Sequence, residues 1–325
     1  MRIGFIDCDK KNSKNPFPNL SIMKLSAWHK QQGDTTEWYQ EFTGEYDRVY
    51  VSKVFSFTPD YEYHINANEV IRGGSGYAIT MVNGREIYNK ELDKPLQNEI
   101  EHIYPDYELY GISNTAYGFI SKGCPRGCDF CHVEDMQGKT AHKVADLTEF
   151  WNGQKNIVLL DPNIFACKEW KDIFQQLIES KAYVDFSQGL DIRLMTDEKI
   201  EMLKKIKCKS VHFAWDRYED KEIVLSNLNK LKKVTQWGRR KIIVYVLCGD
   251  RERKITQQDL ERIYTLREIE CWPYVMLYDK ETLPRGHELK KLQRWVNNRI
   301  IWESTPTFED YIKRWTKNGK GRWKQ

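Results

Sequence analysis

The sequence predicts an α/β protein in which a partial, about six-stranded parallel βα barrel is preceded by a small Rossmann-like α/β domain. Three observations carry that expectation. From Ala116 onward, six apolar strand-like runs alternate with helical patterns, and each run finishes in polar residues; this is the sequence form of a parallel barrel, whose sites gather at the carboxyl ends of its strands. The first hundred residues read instead as strand, helix, strand, strand with short loops. At 325 residues, with 40% hydrophobic and 30% charged side chains, the chain is long enough to bury a substantial core in one large domain or two ordinary ones.

Residues 1–100 form the predicted front domain. Arg2 to Asp7 reads as a buried strand ending in an acidic turn, followed by a polar loop through Pro16 and Pro18. Asn19 is a natural cap for a helix from Leu20 to about Gln32, with Leu20, Met23 and Ala27 on one face and Gly33 as terminator. Thr36 to Tyr39 and Asp47 to Phe55 read as further strands. Glu69 to Ile71 runs into the glycine-rich turn Gly73-Gly74-Ser75-Gly76, where backbone can approach a ligand or simply turn tightly. The polar stretch from Asn83 to Leu109, with Pro95 and Pro105, reads as a crossing segment, and 101–115 as the linker itself.

The predicted barrel covers 116–285. Its strands are Tyr117 to Ser121, Ile157 to Leu160, Tyr183 to Phe186, Ser210 to Trp215, Lys241 to Leu247 and Pro273 to Tyr278. Helical patterns lie between them at Trp170 to Ser180, Thr196 to Lys205, Ile223 to Gln236 and Thr256 to Ile269. Residues 286–325 read as a helical, basic tail. Cations interleaved with aromatics there, from Arg294 and Trp295 to Trp315, Lys320, Arg322, Trp323 and Lys324, suit single-stranded nucleic acid. The plainer reading is a helix covering the barrel through Trp295 and Ile300, then a frayed basic end.

The chemistry-bearing stretch follows the first barrel strand: Lys122-Gly123-Cys124-Pro125-Arg126-Gly127-Cys128-Asp129-Phe130-Cys131-His132. Thiolates spaced CxxxCxxC suit zinc or an iron–sulfur cluster, and cysteines this close cannot all pair as disulfides. A four-iron cluster on three protein thiolates keeps one iron open, whereas structural zinc closes its fourth position with protein, here His132. The other five cysteines, Cys8, Cys167, Cys208, Cys248 and Cys271, form no second motif and read as small buried hydrophobes.

Cys124, Cys128 and Cys131, with aromatic Phe130 before the last, resemble the CxxxCxΦC signature of radical S-adenosylmethionine (radical SAM) enzymes. The resemblance implies a 4Fe-4S cluster on these three cysteines, with S-adenosylmethionine (SAM) chelated at the open iron. Reductive cleavage to a 5′-deoxyadenosyl radical, and hydrogen abstraction from an unidentified substrate, follow from it. It also implies an electron donor of flavodoxin or ferredoxin type. By the family's strand-end pattern, Phe130 would face adenine, Asp161 and Asn163 would stand near the SAM amino group, Gln188 and Arg193 near ribose and carboxylate, and Cys248 and Gly249 along the adenine pocket. The family's usual glycine-rich sequence at the second strand end is replaced by Leu160-Asp161-Pro162-Asn163. Each of these also has a plain reading: a turn for 161–163, an ion pair for Arg193, core filling for Cys248.

The front domain resembles the cobalamin-binding domain of many radical SAM proteins, but the DxHxxG cobalt-ligand motif is absent: Asp7 and Asp9 have no nearby histidine, and His29 falls inside the first predicted helix. A packing or substrate-recognition role is the expectation, with a cobalamin-dependent methyltransferase as the alternative. The alternative from another class is a zinc-stabilised nucleic-acid-binding protein. Fifty-one basic and 47 acidic residues leave a net charge of only +4, which by itself names no partner. No apolar stretch approaches a membrane span, and the start lacks a signal peptide's apolar core, so the expected location is the cytoplasm, where thiols stay reduced.

Overall fold

The computed structural model describes residues 1–11, 17–42, 44–82, 85–249, 252–278 and 280–317. They divide into two compact units, Met1–Gln188 with Lys205–Lys207, and Gly189–Lys204 with Cys208–Gln325. Among the described residues, no helix is long and apolar enough to cross a membrane. Asp250, Asp279, Lys320, Arg322, Trp323 and Lys324, each singled out by the sequence, lie outside the described residues.

In the first unit, β1 (Arg2–Asp7), α1 (Leu20–Gln31), β2 (Thr35–Trp38), β3 (Tyr46–Ser52) and β4 (Ala67–Gly73) build a four-stranded parallel sheet of order β2-β1-β3-β4. Asn19 caps α1 as expected, its side chain accepting from Ile22 N at 3.2 Å. Gly33 takes φ +81° just past the helix end, a conformation that favours glycine. The buried face differs from the expected one. Ile22, Met23, Ser26 and His29 are buried, whereas Leu20 and Ala27 are only half-buried. Ile3, Phe5 and Ile22 pack as one core with Leu25, Trp38 and Tyr50 around them. The other face of the sheet buries Ile6, Tyr46, Val49 and Val51.

After β4 come a single helical turn, α2 (Ser75–Ala78), the hairpin β5 (Ile79–Val82) and β6 (Arg85–Tyr88), and a second short helix, α3 (Asn98–Glu101). So short a hairpin carries no period-2 signal, and its second strand falls in the stretch from Asn83 to Leu109 that reads as a polar crossing segment. Residues 101–115 are also not a loose linker. Tyr107 is buried, its hydroxyl donating to Phe150 O at 2.7 Å and accepting from Tyr117 N at 3.0 Å. Tyr110 donates to Asp7 Oδ2 at 2.6 Å, and Trp38 Nε1 donates to Leu109 O at 2.8 Å. Aromatic side chains with one polar tip thus pin the segment down.

A six-stranded parallel sheet follows, of order β14-β13-β12-β11-β10-β7. Its strands are β7 (Thr115–Gly118), β10 (Asn156–Leu159), β11 (Tyr183–Leu190), β12 (Lys207–Ala214), β13 (Ile242–Cys248) and β14 (Trp272–Leu277). Two short strands, β8 (Ser121–Lys122) and β9 (His142–Lys143), and the five-residue helix α4 (Val133–Gln137) lie between β7 and β10. The intervening helices are α5 (Trp170–Ser180), α6 (Asp197–Lys205), α7 (Lys221–Thr235) and α8 (Gln257–Glu268); α9 (Glu288–Asn297), α10 (Arg299–Ser304) and α11 (Phe308–Lys317) end the described chain.

In the second unit, alternate residues Ile242, Val244, Val246 and Cys248 of β13 are fully buried, matching the apolar stripe Val224, Leu228 and Leu231 of α7 and Ile263 and Leu266 of α8. The outer edge of β14 is occupied by amides from α9. Asn297 accepts from Val275 N at 2.8 Å and donates to Val275 O at 3.0 Å, where Gln293 donates too. Trp295 is buried as expected, but Ile300 is 79% exposed, and α10 packs through Trp302 instead.

Candidate metal centre

The cysteine loop is closed at its base before any thiol is involved. β8 and β9 pair antiparallel, Ser121 with Lys143 and Lys122 with His142. Inside, Cys124 N donates to Gly138 O at 3.1 Å and Gly123 N to Gln137 Oε1 at 3.2 Å. Cys131 N donates to Cys128 O at 2.9 Å, a single tight turn between the last two thiols. Gly123 has φ +83°, and a Cβ there would stand 2.2 Å from Thr140 O. Only glycine fits that crossing.

Burial separates the eight cysteines into two sets. Cys124, Cys128 and Cys131 are half-buried, whereas Cys8, Cys167, Cys208, Cys248 and Cys271 are buried. Burial pushes the thiols of Cys8, Cys248 and Cys271 up, which keeps them protonated and inert. Among the described residues, no three His, Cys, Asp or Glu side chains converge as one metal ion requires. Thiolates of a multi-iron cluster bind separate irons and need no such convergence.

The end of β10 supports the loop. Asp161 Oδ1 accepts from Ile120 N at 3.0 Å, from Ser121 Oγ at 2.7 Å and from Ser121 N. Burial pushes this carboxyl up to about 7, partly offset by those hydrogen bonds. Asn163, also buried, donates from Nδ2 to Cys124 Sγ at 3.5 Å. Asp161 Oδ2 and Asn163 Oδ1 are buried acceptors with no hydrogen-bond partner in the structure. A buried orphan acceptor is costly, so its presence at a strand's carboxyl end marks a place where a donor belongs.

Charge around the loop is more nearly balanced than the sequence implied. Lys122 Nζ donates to Glu101 Oε1 at 2.6 Å, and Lys24 stands 3.5 Å from the same oxygen. His132 lies 3.8 Å from both Glu86 and Asp135. Phe130 is 40% exposed at the loop's tip. Gln188 is exposed, while its neighbour Ser187 donates to Leu159 O at 2.8 Å.

In the second unit, Arg193 is held between carboxylates: Nε and Nη2 meet Asp191 at 2.8 and 3.2 Å, and Nη1 meets Asp220 at 2.7 Å. These partners realise the plain ion-pair reading. Cys248 is fully buried at the end of β13. Gly249 takes φ +87° and donates from N to Asp259 Oδ2 at 3.3 Å.

Sequence reasoning missed the residue that orders this end. Buried Arg262 donates to Trp215 O at 2.7 Å, Asp216 O and Leu247 O at 2.8 Å, and Asp259 Oδ1 at 2.7 Å. One guanidinium thereby ties the carboxyl ends of β12 and β13 together. The detectable signal was Thr256-x-x-Asp259, whose reciprocal capping box fixes the start of α8 and aims Asp259 at Arg262.

In the front domain, the groups weighed for cobalamin are engaged internally. Asp7 accepts from Asp9 N and Tyr110, and Asp9 from Val54 N at 2.6 Å and Thr58 Oγ1 at 2.5 Å. His29 is fully buried between Asp34 Oδ2 at 2.6 Å and Tyr50 Oη at 3.0 Å.

A scan against models of protein families finds no match to this sequence, and a search of curated proteins finds no match either.

Proposed function

We propose that the chain is a radical SAM enzyme carrying a single 4Fe-4S cluster on Cys124, Cys128 and Cys131. The observation that carries this reading is the loop itself. Three half-buried thiols in CxxxCxxC spacing stand on a loop closed by β8 and β9, and the Asn163 amide donates to the first sulfur. The donor set fits: soft thiolates, a hydrogen bond to sulfur, and two orphaned buried acceptors beside it. The parallel six-stranded sheet supports a partial-barrel reading with sites at strand ends.

When bound, the cluster supplies an electron to SAM and so generates the 5′-deoxyadenosyl radical that takes hydrogen from substrate. The chain's own residues do the positioning. Asp161 fixes the backbone of Ile120 and Ser121, and hence the entry to the loop. Asn163 orients and partly neutralises the Cys124 sulfur. The unpaired Asn163 oxygen, and Asp161 Oδ2 when that carboxyl is ionised, suit the N–H groups of an ammonium. An electron donor of flavodoxin or ferredoxin type and the reducing cytoplasm complete the reading.

The test is anaerobic reconstitution with iron and sulfide, then reduction in the presence of SAM. About four irons per chain and release of 5′-deoxyadenosine are expected, both lost in Cys124→Ala, Cys128→Ala and Cys131→Ala. A well-formed cluster that never cleaves SAM would refute the enzyme reading. A single zinc without sulfide would favour the zinc-stabilised alternative, and a retained corrinoid the methyltransferase.

A further inference from the structure

The second unit carries a charge segregation that the near-balanced whole chain conceals. From Ile223 to Gly249 there are six cations (Lys230, Lys232, Lys233, Arg239, Arg240, Lys241) and no Asp or Glu. From Met202 to Trp215 there are four lysines and again no carboxylate. The fold sets these runs side by side. β12 and β13 are parallel neighbours with Val211 opposite Ile242, and Val211 N donates to Lys241 O at 2.8 Å. The segments entering the two strands are therefore adjacent, with Lys209 at one and Arg239 to Lys241 at the other.

Lys209, Lys233, Arg239 and Arg240 are exposed, and Gly238 to Lys241 line a surface concavity. Trp237 is half-buried, with Lys241 Nζ 4.6 Å from its ring centre. Glu303 of α10 meets Arg239 at 3.2 Å, Arg240 at 3.9 Å and Arg299 at 3.4 Å. Lys230 and Lys232 are paired with Asp197 and Glu270, but one carboxylate shared among three guanidiniums leaves the Arg239–Arg240 corner net positive. Guanidiniums fork onto phosphate oxygens, and an aromatic beside them offers a base a stacking surface.

We propose that this face of the second unit binds the phosphate backbone of nucleic acid, with Arg239 and Arg240 on phosphates and Trp237 at a base. The surface is independent of the cysteine loop, so it stands or falls apart from the enzyme reading. Forked guanidiniums beside an aromatic ring suit a phosphodiester chain with a base to stack, a pairing that an acidic protein partner would not use.

The test is fluorescence anisotropy of full-length protein with a labelled single-stranded RNA of about 20 nucleotides, between about 50 and 200 mM salt. Binding should weaken steeply with salt. Arg239→Gln with Arg240→Gln should weaken it about tenfold at the low end and reduce the log–log salt slope by about 1.4, 0.7 for each lost phosphate contact. Lys209→Gln with Lys233→Gln, which leaves Glu303 and its partners untouched, should act in the same direction. An unchanged melting temperature would show that both variants fold. The triple Cys124→Ala, Cys128→Ala, Cys131→Ala protein should bind as the wild type does. Absence of binding at low salt, affinity unaltered in both charge variants, loss of binding in the cysteine variant, or equal affinity for polyglutamate would each overturn the proposal.

Discussion

Asp161 Oδ1 serves three donors that lead into the cysteine loop, while its other oxygen is buried with no partner. Burial outweighs the hydrogen bonds, so the folded carboxyl holds its proton to about pH 7. The folded state then binds more protons than the unfolded chain between roughly pH 4 and 7. The resulting contribution to stability is present below the unfolded value and is lost as pH rises through 7. Urea midpoints measured from pH 5 to 8 should fall in the wild type and change less in Asp161→Asn, which keeps the accepting oxygen. Asn163 acts on charge instead of shape. A hydrogen bond to a thiolate stabilises the reduced, more negative centre, so Asn163→Leu should move the reconstituted cluster's midpoint potential to more negative values while iron content is retained. A potential unchanged within error would remove Asn163 from the site.

At the scale of elements, Arg262 and the β14 edge are the two places where few side chains order much backbone. Arg262→Met leaves Asp259 buried without its cation and frees strand-end carbonyls from their donor; a loss of about 3–5 kcal/mol in denaturant titrations is expected. Asn297→Ala leaves Val275 N without its acceptor and Val275 O to Gln293 alone, at about 1–3 kcal/mol, and should raise light scattering on heating, because an open parallel edge is a template for another chain. What the sequence disclosed here follows the strength of each periodic signal. Trp170–Ser180 was read to the residue, and the six parallel strands to within a few residues, because each carries a run or alternation of buried apolar side chains. Asn19 announced α1 through a local hydrogen bond. The Thr256-x-x-Asp259 box was in view, but the bonds of Arg262 to strand-end carbonyls were not, and the Ile79–Tyr88 hairpin is too short to show alternation. The site was legible in its thiols and in the position of Asn163. The engagement of Arg193 by Asp191 and Asp220 depends on where α7 begins, which no spacing rule supplies.

For the whole molecule, thiol accessibility is the most direct test of how the cysteines are sorted. Native, metal-free protein should expose three thiols quickly to an aromatic disulfide reagent and all eight only after unfolding, given five buried cysteines. Fast reaction of a fourth thiol would show that one of the five is not core. The same sorting explains why composition was a poor guide to function. A net charge of +4 concealed two lysine- and arginine-rich runs without carboxylates, and a cysteine count of eight concealed three half-buried thiols on one loop and five buried ones.

The β8–β9 ribbon stitches together both ends of the cysteine loop using backbone alone. The entropy of closing that loop is therefore met by the sheet-like pairing at its base and not by whatever the sulfurs hold. In many small metal domains the ion is the keystone, and its removal brings the arch down. Here backbone pairing closes the arch, so on the cluster reading proposed above, stripping the metal should leave the β8–β9 base paired.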